Sequence, residues 1–267
     1  MINKYAISFL ILATCVIPTD APQRSLPDSG HLHLVNRENP LSSDFRPDDL
    51  VKHRGVELRE KARDAFIEMV NAMESDKIYG LKLQSAYRSY GYQQAIFNEK
   101  IKELMGKGND RNTAVGIATR SVQIPGASEH QLGLALDVSV SGKLSQDFAD
   151  TEAGKWLAEN CYKYGFVIRY PQCKIEVTNI IYEPWHLRYV GQPHAKIMKE
   201  TGLTLEEYHE FLAKIPMYVV WEEDFYYLVI YGDEFEIGGE IVGVSATSQS
   251  ENAGVIITVK KELSLSV

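Results

Sequence analysis

The chain has only three cysteines in 267 residues, Cys15, Cys161 and Cys173. That is too few for a scaffold stapled by disulfides, so a hydrophobic core must hold the fold together. Basic residues are outnumbered: 28 Lys and Arg against 36 Asp and Glu give a formal charge of −8. With no basic cluster either, a nucleic-acid partner is disfavoured, because a polyphosphate backbone requires a positive footprint. No apolar run reaches the ~20 residues that cross a bilayer, and neither repeats nor low-complexity tracts occur. Apolar residues are plentiful at 45%, enough at this length for one large domain or a domain with an appendage.

At the start, Met1-Ile2-Asn3-Lys4 places one positive charge ahead of the largely apolar stretch from Tyr5 to Ile17. This has the form of a secretory signal, and Pro18, Pro22 and Pro27 after it suit an extended linker. Residues 1–28 are therefore expected to be a signal segment and linker, and the protein to be exported. Leu12-Ala13-Thr14-Cys15 resembles a bacterial lipobox, with Thr14 where a smaller residue is usual, so lipidation of Cys15 stays open. Cys161 and Cys173 either pair in an oxidising compartment, or Cys161, on one helical face with Trp156, Leu157 and Tyr164, is a buried thiol.

The chemistry concentrates in two segments, Ser128-Glu129-His130-Gln131-Leu132-Gly133-Leu134-Ala135-Leu136-Asp137 and Glu183-Pro184-Trp185-His186. A hydrolytic zinc site usually has three protein ligands and keeps a fourth position for water. His130, Asp137 and His186 fit that count. Glu183, three residues before His186, is tethered where a general base would act. Taken singly these residues say little: a lone His is more often a satisfied core or surface residue, and Asp137, flanked by Leu136 and Val138, reads equally as a strand-end carboxylate.

A third segment, Ser85-Ala86-Tyr87-Arg88-Ser89-Tyr90-Gly91-Tyr92-Gln93, changes the weight of the other two. The succession S-x-Y-R-S-x-x-x-Q, S-x-H-x-x-G-x-A-x-D and E-x-W-H resembles the zinc carboxypeptidases of bacterial cell-wall metabolism, the VanY-type D-alanyl-D-alanine carboxypeptidases and related L,D-carboxypeptidases. The resemblance extends over about residues 32–200, taking in Arg169-Tyr170-Pro171 and Arg188-Tyr189-Val190-Gly191. It implies zinc on His130, Asp137 and His186, the base on Glu183, and an oxyanion-steadying Arg88. Ser128, Gln93 and Tyr87 become substrate-pocket residues, with Ser128 and Gln93 as neutral donors toward a free chain end. It also implies an α+β fold with helices packed on an antiparallel sheet, and peptidoglycan stem peptides as substrate. D,D-cleavage is favoured; L,D-cleavage and a non-catalytic wall-binding module are the alternatives. An intact Glu183 weighs against the last, since a structural zinc site is more often closed by four protein ligands.

Periodicity adds the elements. Leu58, Ala62, Ala65, Phe66, Met69, Val70 and Met73 follow a helical stripe. Residues 81–85 alternate as a strand that delivers Arg88, and Ser89 caps a helix from about Tyr92 to Met105. Further helices are expected at 112–121, 151–164, 193–200 and 205–214, and strands at 134–139 and from Ile180 into the last motif. Glu183 and His186 are an odd number of residues apart, so a regular strand would send them to opposite faces. A distortion at Pro184, which cannot donate to a ladder, is therefore expected. Beyond a catalytic domain at 29–215, residues 216–267 read as a small β-rich region. Its aromatics Tyr218, Trp221, Phe225, Tyr226, Tyr227 and Tyr231 are read as core rather than a glycan surface.

Overall fold

The computed structural model describes residues 30–215, 217–232, 240–246 and 254–263. The expected signal segment, the linker to residue 28 and Cys15 lie outside these residues. In chain order the elements are β1 (Leu50–His53), β2 (Val56–Arg59), α1 (Glu60–Ser75), β3 (Lys82–Ser85), α2 (Tyr90–Gly106) and α3 (Arg111–Ala118). They continue with β4 (Ala135–Ser139), α4 (Glu152–Asn160), β5 (Phe166–Tyr170), α5 (Ile175–Thr178), β6 (Glu183–Tyr189), α6 (His194–Thr201) and α7 (Leu205–Lys214). The last strands are β7 (Met217–Trp221), β8 (Phe225–Gly232), β9 (Glu240–Ala246) and β10 (Val255–Glu262).

The expected α+β architecture is present. Strands β3-β4-β6-β5 form an antiparallel sheet in that order. Its pleat sorts the residues. Leu136 and Val138 of β4, Trp185 and Leu187 of β6 and Phe166 of β5 enter one core with Phe66, Met69 and Met73 of α1 and Leu157 of α4. The alternate residues, Asp137 on β4 and His186 and Arg188 on β6, leave from the other face. The apolar stripe predicted for α1 is the buried one, Ala62, Phe66, Met69, Val70 and Met73. Leu58, at the head of that stripe, instead lies in β2, paired with Val51 in a hairpin that periodicity did not reveal.

Capping residues fix several ends. Ser89 accepts from the Tyr92 amide and Thr151 from the Gly154 amide, as expected, and Asp110 caps α3. The helix expected over 151–164 is α4 followed by a 3₁₀ turn at Cys161–Tyr164, ended by Gly165 at φ 79°. Cys161 is buried and Cys173 exposed, and both are free. The buried-thiol reading holds, and burial pushes the Cys161 thiol up to about 12.

A second antiparallel sheet, β7-β8-β10-β9, follows α7. Val220, Val229 and Ile256 share a core with Ala195, Ile197 and Met198 of α6 and Tyr208 and Leu212 of α7. His194 is buried at this seam, its Nδ1 2.8 Å from the Tyr208 hydroxyl and its Nε2 2.8 Å from the Thr258 hydroxyl. Here the aromatics divide. Tyr218, Tyr227 and Tyr231 pack on the core, whereas Trp221 is 63% exposed and meets Tyr226 at 4.9 Å on the opposite face.

Candidate metal centre

The site is assembled where β4 and β6 run side by side, with Asp137 directly opposite His186. His130 comes from a 3₁₀ turn, Glu129–Leu132, that ends at Gly133 with φ 68°. A side chain at Gly133 would meet Leu50 Cδ2 at 2.7 Å, so the turn needs glycine both for its conformation and for the close packing beneath it. Asp137 Oδ2 lies 3.2 Å from His130 Nε2, and its Oδ1 lies 3.1 Å from His186 Nδ1. All three residues are buried, and one donor atom from each falls within 4.8 Å of the other two.

Glu183 joins them because β6 is irregular. Ile168 pairs with Leu187 but Tyr170 pairs with Glu183, so one residue of β5 stands against three of β6. This is the distortion expected around Pro184, and it brings Glu183 Oε2 to 3.7 Å from His186 Nδ1. The strand begins at Glu183, however, not at Ile180: residues 180–182 are irregular. Arg88 follows β3, where a register shift precedes Ser85. Its Nη2 donates to Asp137 Oδ2, and its Nε donates to Ser85 Oγ at 2.8 Å.

The protonation states suit a cation. Nδ1 of His130 is 2.5 Å from the Ala86 carbonyl, a contact that only a protonated Nδ1 can make as a donor, which leaves the Nε2 lone pair toward Asp137. Burial, reinforced by the Arg88 charge, lowers His130 to about 4, so the ring is neutral near pH 7. Burial opposes ionisation of Asp137, but the Arg88 guanidinium that donates to its Oδ2 outweighs it and holds the carboxyl well below the usual range. Glu183 goes the other way: burial and the Asp137 charge raise it well above an ordinary glutamate, against the pull of Arg88. Two imidazole nitrogens and a carboxylate converging in a dry site are a donor set of borderline softness, and they fit zinc.

The pocket residues inferred from the sequence are placed less uniformly. Ser128 is buried at the start of the His130 turn. Gln93 is buried on α2 and donates from Nε2 to the Gln123 carbonyl at 2.7 Å, while its Oε1 has no partner among the described residues. One of the two amide protons expected for a substrate is thus already engaged, and the free heavy atom is an acceptor. The Tyr87 ring lies under the Arg46 guanidinium at 4.8 Å, on the side of β2, where the Tyr87 amide also donates to the Glu57 carbonyl.

The model of the D-alanyl-D-alanine carboxypeptidase family named VanY matches residues 55–192. The chain belongs to the VanY family. A relative from Enterococcus faecalis, a D-alanyl-D-alanine carboxypeptidase, is 38% identical over 66% of this chain and 65% of its own length, so the chain spans about two thirds of that protein. Two solved structures of VanY from the VanB-type resistance cassette, VanYB with D-alanine-D-alanine and a variant with Zn(II), superpose with a TM-score of 0.61 at 37% identity. They are matched over 67% of this chain and 97% and 98% of theirs. LdcB, an LD-carboxypeptidase, superposes with a TM-score of 0.59 at 39% identity, over 66% of this chain and 84% of its own.

Sequence reading passed over three neighbours of this VanY-type centre. Ser85 steadies Arg88. The Tyr170 ring lies 4.9 Å from the His186 ring, and burial drives its hydroxyl pKa far up. Glu129 is fully buried between Arg169 and Arg188; burial alone would raise its pKa, but the two arginines and His186 hold it below the ordinary range. The available signal was an acid amid residues that all proved buried, with two arginines in apolar strands, since such charges occur inside proteins only when paired.

Proposed function

We propose that this chain is a zinc-dependent carboxypeptidase that removes a C-terminal D-alanine from peptidoglycan stem peptides, with D,D-linked ends favoured. The observation that carries the reading is the convergence of His130, Asp137 and His186 with Glu183 beside them, in a chain of the VanY family. His130 would hold the metal through Nε2, His186 through Nδ1, and Asp137 through its carboxylate.

Zinc held there would supply charge, which lowers the pKa of a bound water to about 7 and polarises a carbonyl oxygen. Glu183, buried and with a raised affinity for protons, takes the proton of the attacking water and returns it to the leaving amine. Arg88, held by Ser85 and Asp137, brings a permanent cation to the carbonyl oxygen that becomes negative. Ser128, Gln93 and Tyr87 line the substrate pocket. Burial keeps bulk water from these groups and strengthens their mutual interactions. Residues 1–28 direct export and 29–215 carry the chemistry, while 216–267 form a β-rich region whose strands β7, β8 and β10 pack on α6 and α7.

The test is mass spectrometry on the pentapeptide ending in D-Ala-D-Ala, the tetrapeptide ending in one D-Ala, and the C-terminal amide of each. Loss of one D-alanine from the free-acid pentapeptide, with little reaction of the amides, is expected. Cleavage of the tetrapeptide alone would make the enzyme an L,D-carboxypeptidase, the reading that similarity to LdcB supports. Equal cleavage of the amides would replace the proposal with an endopeptidase.

A further inference from the structure

Glu129 immediately precedes His130, yet its carboxylate belongs to a separate buried cluster. Oε1 accepts from Arg169 Nε at 2.7 Å and lies 2.9 Å from Arg188 Nη1. Arg169 is bound on its far side by both oxygens of Glu206 on α7, at 2.9 and 2.6 Å. Arg188 in turn donates to the carbonyls of His31 and His33. Both arginines thus approach Glu129 at Oε1, Arg169 by a hydrogen bond and Arg188 by charge. Its Oε2 is buried with no hydrogen-bond partner among the described residues.

Nε2 of His186 is in the same condition. That ring turns Nδ1 toward Asp137 and Glu183, so with the Nδ1 lone pair on a metal, Nε2 must carry the proton. A buried donor and a buried acceptor thus each lack a partner, on the same side of the sheet. His186 and Arg188 are two residues apart on β6 and project from one face, and Arg188 touches the Glu129 carboxylate. Metal-bound histidines usually pass their second ring proton to a carboxylate, a carbonyl or a water, which fixes the ring and its tautomer. Where two such orphaned groups share a buried polar site, one water can join them.

We propose that Glu129 is a positioning residue for the metal centre, its Oε2 accepting the His186 Nε2 proton through a single bridging water. This rests on the reading of His186 as a ligand through Nδ1. The arginines make the role specific to a carboxylate. In Glu129→Gln the amide oxygen is drawn to the two guanidinium groups, which turns the NH2 toward the bridging water, so that the water receives two donors and finds no acceptor for its own protons. The cluster of arginines keeps a partner, but the water under the histidine loses the carboxylate that held it in place.

The experiment measures zinc affinity by competition with a chelating dye on the full chain, with folding followed by circular dichroism. Glu129→Gln should fold and bind zinc about 10- to 100-fold more weakly. Glu206→Gln, which disturbs the same cluster without touching His186, should bind zinc like the wild type. Unchanged affinity in Glu129→Gln, or an equal loss in Glu206→Gln, overturns the proposal, as does a loss seen with Tyr170→Phe instead. Should Glu129→Gln fail to fold, nitrogen-15 NMR of the wild-type zinc protein reads the same contact. A slowly exchanging Nε2 proton on His186 is expected, and a rapidly exchanging one refutes it. Zinc affinity lost in His186→Ala but kept in Glu129→Gln would leave the ligand reading standing while removing this one.

Discussion

At the scale of single residues, the buried triad leaves little room for substitution. With three protein ligands, removal of one takes away a third of the site, so His130→Ala, Asp137→Ala and His186→Ala should each purify with far less than the one zinc per chain expected of the wild type, as read by elemental mass spectrometry. Glu183 is different because it stands beside the triad. Glu183→Gln keeps shape and removes the base, and should retain zinc while losing roughly 10²-fold or more in kcat. Near-normal turnover would move the base elsewhere. Arg88 makes two directional bonds, to Ser85 and Asp137. A lysine offers a point charge in place of that fork, and Arg88→Lys should lower kcat/KM in the same assay.

At the scale of elements, the His130 turn and the irregular start of β6 do most to shape the site. Gly133→Ala would force a left-handed conformation worth about 1–2 kcal/mol on an alanine and press its methyl group against Leu50. A lowered thermal midpoint with weaker zinc binding is the expected result, and a neutral substitution would show that the turn can relax. Both features were partly legible in the sequence. Gly133 marked a bend, and the odd spacing of Glu183 and His186 required a distortion. The five-residue β5 was not legible: Phe166-Val167-Ile168-Arg169-Tyr170 lacks a clean alternation because nearly all of it is buried, and a short apolar run carries no period that separates strand from helix. The β1–β2 hairpin was hidden by Leu58, which fits the α1 stripe in register yet lies outside the helix. The grouping of His130, Asp137 and His186 was legible from spacing and resemblance; the ion cluster behind them was not, since Glu129, Arg169, Arg188 and Glu206 are scattered along the chain and meet only in the fold.

At the scale of the whole molecule, two sheets meet across α6 and α7. No residue of the proposed site lies beyond His186, so a chain ending near residue 215 should still cleave a soluble peptide. It would also uncover Tyr208, Leu212 and Met198, which the second sheet now covers, and its thermal midpoint should fall. The same seam should be sensitive to acid. His194 is buried neutral and lowered to about 3, mainly by burial and secondarily by His209, whereas in the unfolded chain it titrates near 6.5. Between those values the unfolded state binds the extra proton, so this stability is present at neutral pH and is lost as pH falls below about 6.5. The loss approaches 1.4 kcal/mol per pH unit, or about 2 kcal/mol by pH 5. Melting curves should therefore be less steeply pH-dependent in His194→Gln than in the wild type over this window, and identical slopes would assign the acid sensitivity to other buried groups, such as His130 and His209.

Strand β4 is an inner strand, paired with β3 on one side and β6 on the other, and its five residues are all buried. Backbone amides in such a position exchange with solvent only when the molecule opens on the largest scale, whereas those of an edge strand such as β5 can be released by smaller openings. Asp137, the proposed carboxylate ligand, thus belongs to the slowest-breathing part of the protein, and His186 is locked to it across the ladder. Here metal binding and folding are separate events on separate clocks. A chelator should empty the centre without unravelling the chain, and ions added back should find the ligands already waiting, at a rate set by access to the site rather than by refolding.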